Sequence, residues 1–487
     1  MKCSKIYSLL AVLLFGTAAT AVAQQALRSA YYLDGYSYRH RLNPSFAPER
    51  SYFSMPVLGN INAGAQSNVG VSSFLYKMGN GQLTTFMNEC VSSKEFLDGL
   101  KSRNRINVDL DLTILSAGFS GFGGFNTVEL SVKSGARINL PYELFEFMKN
   151  GMTSDETHYT IENMGVSTTN YAELALGHSH RINSQWTVGA KAKFLFGLAD
   201  AYANINRMEL NMTKDVWSVQ ADGEMNAAVK GLVMPTKGEA GKELDNPEDR
   251  DVLAWDEIDY DSPGLTGFGM AFDLGATYQF REDLQFSVAL LDLGFINWKN
   301  NTKAQTSNDP WTFDGFHSIA VNPEDPDDPN DLENQFEQQG DDLERLVNFR
   351  KTEEGGSRSR ALGATLNLGA LYTLPYYNKL KFGFLSSTRI NGKYSWSEGR
   401  FSANVAPVKF FDAGINYAVT SFGSSFGWIL NFHPRGFNLF IGSDHQFFKV
   451  TPQYVPVHHA TANFGMGINF PLGKRALSGS ISRSFHT

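Results

Sequence analysis

Cysteine is nearly absent from this sequence, which has 487 residues and two cysteines, Cys3 and Cys90. Cys3 lies within residues 1–23, a segment that we predict to be removed as a signal peptide. The single cysteine that remains excludes an internal disulfide, although a secreted compartment would permit one. The stability of the mature chain must therefore come from other sources.

The predicted signal peptide rests on the order of features at the N-terminus. Lys2 and Lys5 precede an apolar run at 6–15, and small residues at 21–23 precede Gln24. This order is typical of a secretory signal with an A-x-A-type site, so cleavage is expected before Gln24. Loss of both lysines moves the formal net charge from -8 to -10, which argues against a nucleic-acid-binding protein.

Long apolar runs are also absent after the predicted signal. No stretch of about 18 apolar residues occurs, which excludes a membrane-spanning helix on length. Several catalytic motifs are missing as well, namely a Walker loop, H-E-x-x-H and C-x-x-C, and GFSGFGG at 118–124 does not fit a nucleophile elbow. We therefore expect no enzyme and no cofactor.

The sequence does contain long stretches in which apolar and polar residues alternate. Between residues 268 and 280 every even position is apolar, whereas the odd positions are mostly Gly, Ala, Asp, Thr and Gln. The same alternation recurs at 106–114, 128–140, 362–374, 411–419 and 462–470. A period of two places the two sets on opposite faces of a β-strand. Several stretches approach the roughly ten residues that a tilted strand needs to cross a bilayer.

The connections between these stretches are of two kinds, short ones at 182–185, 281–283 and 375–379 and long ones at 236–262 and 300–359. Short turns on one rim and long loops on the other are typical of outer-membrane barrels. The fold class predicted is therefore all-β, a transmembrane antiparallel β-barrel with long extracellular loops and a few short helices. A soluble sheet is the alternative. At ~30 residues per strand and connection, about 14 strands are expected, in a range of roughly 12–16.

This architecture predicts three parts of the chain: the signal peptide at 1–23, an N-terminal segment in the periplasm or lumen at 24–50, and the barrel at 51–487. The apolar strand faces are expected to meet lipid and the polar faces to line the lumen.

Eight charged residues on polar strand faces are candidates to face the lumen. They are Asp109, Asp111, Glu129, Lys133, Arg137, Lys191, Lys193 and Asp273. Opposite charges inside a barrel usually pair across strands and make the wall rigid. The other interpretation is a polar path or a contact with substrate, and the sequence leaves both open.

Three short segments interrupt the strand pattern. Residues 141–151 predict a helix that starts at Pro141 and stops at Gly151, because proline suits a first helical turn and glycine a helix end. Residues 86–90 and 94–100 predict helical turns. These segments are expected to be ordinary loop helices, with a role in capping a rim or filling part of the lumen as the alternative.

Two polar features were considered as metal sites. The acidic segment at 322–344 lacks the ligand spacing of an EF-hand and predicts a mobile extracellular loop, with calcium bridging to lipid phosphates as the alternative. His178 and His180 share one strand face but have no third ligand nearby in sequence, so paired surface histidines are expected and no metal site.

Four segments of the chain are distinctive as a set: RLNPSFAPER at 41–50, INVDLDLTILSAGF at 106–119, SGARINLPYELFEFMKNG at 134–151 and AELALGHSHRINSQWTVGAKAKFLFGLA at 172–199. Together they resemble an uncharacterised family of Bacteroidota outer-membrane barrels known as domain of unknown function 5723. The Asn43-Pro44 element is similar to the start of barrels associated with type IX secretion and gliding. LLDLGF at 290–295 is similar to long-chain fatty-acid-transporter-like barrels.

The resemblance implies a barrel in the cell outer membrane without established catalytic or binding residues. Passage or binding of a small hydrophobic molecule is one expected function. The alternative is a structural or interaction role, in which the barrel anchors secretion, gliding or surface-lipoprotein partners. The expected partners are outer-membrane lipid, the barrel assembly machinery, and either a small hydrophobic ligand or a surface protein; nucleic acid is not expected.

Overall fold

The computed structural model describes residues 26–48, 50–78, 83–244, 247–261, 264–307, 310–313, 348–446 and 461–472. The predicted signal peptide at 1–23 and the acidic segment at 322–344 lie outside these ranges. Within the described residues, no helix is long and apolar enough to span a membrane.

The described residues form 22 strands and two α-helices. The strands are β1 (Ser51–Ser54), β2 (Asn60–Ser67), β3 (Leu75–Lys77), β4 (Leu83–Thr85), β5 (Arg103–Gly121), β6 (Gly124–Pro141), β7 (Glu156–Arg181), β8 (Trp186–Thr213), β9 (Trp217–Val229), β10 (Leu232–Val233), β11 (Asp259–Tyr260), β12 (Gly267–Arg281), β13 (Leu284–Thr306), β14 (Trp311–Phe313), β15 (Phe349–Ala361), β16 (Ala364–Thr373), β17 (Leu380–Ile390), β18 (Trp396–Val408), β19 (Phe411–Thr420), β20 (Gly423–Phe432), β21 (Asn438–Gln446) and β22 (Ala462–Leu472). The helices are α1 (Ser93–Leu97) and α2 (Tyr142–Asn150).

Fourteen antiparallel strands close into a barrel in the described part of the chain, which confirms the predicted fold class. Two of the fourteen are interrupted: β1 and β2 form one, and β15 and β16 form another. The first pairs with β5 on one side and with β22 on the other, which closes the ring. Closure gives the backbone N–H and C=O groups partners within the protein, as a strand in lipid requires.

The apolar face of the wall points outward. On β12, Phe268, Phe272 and Leu274 are about half exposed, whereas Ala271 and Asp273 between them are buried. The same strand pairs with β13 through a tight turn at 282–283. The alternation therefore has the predicted orientation, with large apolar side chains on the outside.

The two rims of the barrel differ as expected. One, here called the short-turn rim, is formed by residues 122–123, 182–185, 282–283, 374–379, 409–410 and 433–437. The opposite one, the long-loop rim, carries the connections 68–102, 142–155 and 230–266.

The connection predicted at 300–359 is shorter than expected. β13 continues to Thr306 and β15 begins at Phe349, and the two strands pair along this stretch. Residues 349–361 have polar side chains in both phases. Alternation therefore gave no signal for the strand.

Five strands rise together above the rest of the barrel on the long-loop side. β7 and β8 have 26 and 28 residues, far beyond the roughly ten that a bilayer requires. Their upper parts continue through β9 and β13 to β15 in one sheet, here called the extension.

The outward face of the extension is apolar but is covered by protein. Met208 and Leu210 of β8 are buried in one cluster with Met234 and Leu253 from the 230–266 connection. A register shift after Ile205 in the β8–β9 ladder keeps these side chains in the outward phase. The connection thus shields, at this height, a face that lipid would meet lower down.

The predicted helix at 141–151 is confirmed as α2, which follows Pro141 and ends at Gly151, whose φ is 57°. α1 covers part of the predicted 94–100 segment, whereas 86–91 form turns without a helix. Phe86, Phe96 and Phe145 pack together at the long-loop rim. The first two rings stack with centroids 4.2 Å apart, so these segments form a small core at the rim.

Candidate functional site in the barrel lumen

Residues 26–48, here called the plug, lie inside the barrel. All but four of them are buried. The plug contacts the wall around its circumference: Ser29 Oγ donates to Asp444, the Gly35 amide to Asp412, and Asn43 Nδ2 to the carbonyl oxygen of Val288. These contacts come from β21, β19 and β13, so the plug bridges strands that are far apart around the ring.

The Asn43-Pro44 element packs closely against the wall. The Asn43 side-chain oxygen accepts from the Ser45 amide at 3.0 Å and from the Ser45 hydroxyl at 2.7 Å. A Cβ on Gly189 would collide with the Pro44 backbone, and one on Gly275 would collide with Asn43. Glycine on the inner face therefore makes room for the plug, which explains part of the glycine content of the polar strand faces.

Arg41 joins the plug to two of the predicted lumen residues. Its guanidinium is 2.6 Å from Asp111 and 3.0 Å from Glu129, and all three side chains are nearly fully buried. Two carboxylates on the wall would be uncompensated without this cation. The pairing is therefore a strong determinant of plug docking.

Five of the six remaining predicted residues form further ion pairs across strands. Arg137 pairs with Asp109, and Lys133 lies 2.8 Å from Glu173. Lys193 lies 2.7 Å from Asp273, and the Asp273 carboxylate in turn accepts the backbone N–H of Asp292 at 2.8 Å.

Lys191 differs from the other seven candidates. It is buried, yet no carboxylate lies within 4.0 Å of its ammonium group among the described residues. Together these eight residues and their partners form a charged belt across the lumen.

Sequence reasoning missed three members of this belt, namely Arg41, Glu173 and Asp292. It also missed Arg389, whose guanidinium lies 3.7 Å from the Asp292 carboxylate. Glu173 shares the inward phase of its strand and could have been found by alternation. Asp292 falls in the phase of Val288, which faces outward. Its positive φ of 59° and the adjacent register shift turn it inward, where it lies 2.6 Å from Lys193.

Two small cavities of about 90 and 40 Å³ border the charged belt, and together they contact all eight predicted residues. The smaller one also borders the plug through Arg41 and Leu42. A water molecule takes up about 30 Å³ of the liquid, so the smaller cavity has room for about one water.

The larger of these two cavities has an apolar side. Tyr171, Ile296, Trp298 and Leu362 border it and pack together. Trp298 is fully buried, and its indole N–H has no hydrogen-bond partner among the described residues. A buried donor without a partner costs free energy, which a ligand acceptor at this position would recover.

A third cavity of about 500 Å³, here called the vestibule, lies above the belt within the extension. It shares Ser167 and Arg360 with the 90 Å³ cavity, so the two adjoin. The lumen therefore has three levels, from the vestibule through the charged belt to the plug.

His40 of the plug is a buried imidazole. Its Nε2 lies 2.8 Å from the hydroxyl of Tyr52 on β1. Burial lowers the pKa of His40 well below its ordinary value, and the nearby cations of Lys191 and Arg41 lower the pKa further. The docked plug therefore holds this side chain neutral.

His178 and His180 have stacked rings with centroids 6.0 Å apart, and His178 Nδ1 lies 2.9 Å from the side-chain oxygen of Asn126. Within the described residues, no three His, Cys, Asp or Glu side chains are arranged to hold a metal ion.

The fold and lumen define the class of protein as an outer-membrane-type β-barrel whose interior is filled by its own N-terminal segment. Residues 44–444 match the family described as a family of unknown function, DUF5723, and the chain belongs to that family. No curated protein is detectably similar in sequence.

Solved structures to which the chain is similar include two toluene transporters and the translocator domain of an autotransporter. The toluene transporter TbuX of Ralstonia pickettii is 8% identical, with 93% of this chain and 96% of that chain covered and a TM-score of 0.38. The toluene transporter TodX of Pseudomonas putida is 9% identical, with coverages of 94% and 96% and a TM-score of 0.38. The translocator domain of the autotransporter NalP from Neisseria meningitidis is 7% identical, with coverages of 87% and 88% and a TM-score of 0.31. These likenesses concern the fold alone.

Proposed function

We propose that this protein is an outer-membrane barrel that binds a small, partly hydrophobic molecule in its lumen, as a step in the passage of that molecule. The observation that carries the proposal is the 90 Å³ cavity with apolar residues on one side and the unpartnered Trp298 indole N–H. Ligand sites usually combine an apolar wall with a few convergent polar groups, and this cavity has both.

The plug implies that binding precedes passage. The plug and the charged belt close the lower lumen, so a molecule entering from the vestibule meets the 90 Å³ cavity first. Passage would then require the plug to move. We keep the prediction that the protein is not an enzyme, because the charged groups of the belt other than Lys191 are already engaged in ion pairs.

Calorimetric titration of the purified barrel with phenol, an aromatic ring with one hydroxyl, tests binding at this cavity. Wild type is expected to bind, and Trp298→Phe, which keeps the ring volume and loses the donor, is expected to bind about three- to ten-fold more weakly. Trp186→Phe is the matched control, because Trp186 is exposed on the outside of the wall. Failure of wild type to bind, or equal weakening in both variants, would contradict the proposal.

Residence in the outer membrane is part of the same proposal. The half-exposed apolar side chains on the outside of the wall suit contact with outer-membrane lipid, and insertion would depend on the barrel assembly machinery. Membrane fractionation and heat-dependent gel mobility test this location. A protein recovered in the soluble periplasm, or one that is monomeric without detergent, would refute it.

The extension favours a second candidate, a structural or interaction role for the long-loop side. Five paired strands and the small core around Phe96 stand above the height that a bilayer requires, which suits contact with a secretion, gliding or surface-lipoprotein partner. Purification from native membranes separates the two candidates. A stoichiometric partner protein would support this one, whereas an extracted small hydrophobic molecule would support binding in the lumen.

A further inference from the structure

The vestibule differs from the cavity below it because no aliphatic side chain borders it. Thirteen residues line its 500 Å³: Ser167, Tyr202, Asn204, Glu224, Asn226, Asn301, Lys303, Glu353, Ser357, Arg358, Ser359, Arg360 and Tyr394. All of them carry hydrogen-bonding groups, and the two tyrosines supply the aromatic surface. A hydrophobic ligand would find little complementary surface here.

The register of the extension arranges part of this lining in a row. Ser167 pairs with Tyr202, Tyr202 with Asn226, Asn226 with Lys303, and Lys303 with Glu353. Neighbouring strands lie about 4.8 Å apart, so the row presents a hydroxyl, a phenol, an amide, an ammonium and a carboxylate at regular intervals. The row thus combines three groups that both donate and accept with one cationic donor and one anionic acceptor.

Hydrogen bonds hold the centre of this surface in place. Asn226 Nδ2 donates to the Tyr202 hydroxyl at 2.9 Å, and Asn301 Nδ2 donates to the Asn226 side-chain oxygen at 2.9 Å. Arg358 Nε donates in turn to the Asn301 side-chain oxygen at 2.7 Å. A site whose side chains are already fixed loses less entropy when it binds a ligand.

Three further groups at the vestibule have no ion-pair or hydrogen-bond partner of their own within the described residues. Lys303 and Glu353 are register partners, yet within the described residues neither has an ion-pair partner inside 4.0 Å. Tyr394 is buried, and its hydroxyl has no hydrogen-bond partner in the described part of the chain. A hydroxyl of a ligand can accept from the Lys303 ammonium and donate to the Glu353 carboxylate.

The charges of the vestibule nearly balance. Arg358 and Arg360 both pair with the fully buried Asp200, and Lys303 is offset by the carboxylates of Glu224 and Glu353. A balanced set of charges favours a neutral ligand over a polyanion, since neither sign is in large excess.

We infer that the vestibule binds a saccharide of one or two sugar units. Each sugar hydroxyl both donates and accepts, which matches a row that contains donors and acceptors side by side. A volume of about 500 Å³ lies within the usual range of ligand pockets, roughly 300–1,000 Å³. The apolar C–H faces of a sugar ring can pack on Tyr202 or Tyr394. This inference concerns a different cavity from the one bordered by Trp298 and does not depend on the function proposed there.

The test uses the full-length protein purified in lauryldimethylamine oxide, a detergent without a sugar headgroup. Saturation-transfer difference NMR and calorimetry with glucose, galactose, N-acetylglucosamine and lactose measure binding. At least one of these sugars is expected to bind wild type. Lys303→Met should weaken the binding of that sugar about ten-fold or more, because it removes a charged donor. Tyr394→Phe should weaken it about three-fold.

Two further variants make the result specific. Lys409→Met is the matched control, since Lys409 is exposed on the short-turn rim, and it should leave sugar affinity unchanged. Trp186→Phe, on the outside of the wall, should also leave sugar affinity unchanged. Unchanged heat-dependent gel mobility verifies that each variant is folded.

Absence of binding for every sugar at the highest soluble concentration would overturn the inference. Binding of the zwitterion glycylglycine without binding of any sugar would overturn it too, because the vestibule would then recognise charged groups. Equal loss of affinity in Lys303→Met and Lys409→Met would place the sugar elsewhere on the protein and would likewise contradict it.

Discussion

The lower and upper halves of this barrel are built in opposite ways. The lower half is bare on the outside, where residues such as Phe272 and Ile415 are about half exposed, and filled on the inside by the plug. The upper half is covered on the outside, where Leu210 lies beneath the 230–266 connection, and hollow on the inside, where the vestibule measures about 500 Å³. Strands with the same alternating pattern are therefore covered by protein on the inner face in the lower half and on the outer face in the upper half.

The difference shows that alternation specifies two faces of a strand but not what each face meets. Below, lipid can cover the apolar face, so no protein is needed there. Above, water would meet the same face, and burying it under a connection recovers the hydrophobic free energy. The polar face behaves in the opposite way. In the upper half water can hydrate it, whereas in the lower half the plug excludes water and the charges must pair with one another.

The largest expected effect comes from removing the cation that joins plug and wall. Arg41→Met leaves Asp111 and Glu129 buried without a counter-charge, which should destabilise plug docking by about 3–5 kcal/mol. Ion conductance of the barrel in planar bilayers should rise, since the plug leaves the lumen. Arg181→Met, at the exposed end of β7, is the control. Conductance equal to that of wild type would show that other contacts hold the plug.

A substitution that creates a cavity between the 230–266 connection and the extension should destabilise the protein nearly as much. Leu253 of the 230–266 connection packs against the extension and is 1% exposed. Leu253→Ala should lower the free energy of unfolding by about 2–5 kcal/mol. Faster proteolysis within 230–266 is the measurement. Leu293→Ala on the bare lower wall, where the side chain is 51% exposed, should change proteolysis little. Similar effects of the two variants would mean that both halves are covered in the same way.

Two exposed side chains test whether the lower wall meets lipid. Leu274 is 52% exposed on the lower wall and Met87 is 56% exposed beyond the long-loop rim. Arginine on a lipid-facing strand near mid-bilayer costs about 2–4 kcal/mol, so Leu274→Arg should destabilise the barrel in folding titrations into lipid vesicles. Met87→Arg should stay within about 0.5 kcal/mol of wild type. If Leu274→Arg and Met87→Arg change the folding free energy equally, the lower wall is not in lipid.

The smallest effect is a pH dependence of the filled lower lumen. The docked His40 resists protonation, whereas a released plug takes up a proton below the ordinary histidine pKa of 6.5. Docking is thus unaffected above pH 6.5 and weakens below it, by at most ~1.4 kcal/mol per pH unit until the lowered pKa is reached. Conductance should rise on acidification in wild type. The His40→Gln variant should lose the part of this rise that comes from His40, and an identical pH profile in both would assign the effect to another group.

Much of the lower half could be predicted from the sequence because one face of its strands is uniformly apolar. The outward phase of β12 and helix α2 follow from local spacing, and the expected strand number of about 14 follows from the chain length. β15 could not be predicted, since both of its faces carry polar residues. Asp292 was missed for a different reason: a local bulge reverses its phase, and only pairing with β12 reveals the bulge.

The charged belt was likewise predictable from the sequence only in part. Alternation drew attention to Asp111 and Glu129, but their counter-ion Arg41 lies in a segment without strand periodicity. Whether any belt residue contacts a substrate stays a prediction. The ion pairs themselves follow from closure of the ring, which brings residues far apart in sequence together across the lumen.

By itself, the sequence determined the class of fold and the outward face of the wall, and its length indicated about 14 strands within roughly 12–16. The fold class and the outward face depend on a period of two, which is a local property of the chain. Only the tertiary structure decided that residues 26–48 fill the lower lumen, that 230–266 cover the extension and that a polar vestibule remains above. The physical reason is that each of these features depends on contacts between distant segments, such as Arg41 with Glu129 and Leu210 with Leu253, which exist only after the barrel has closed.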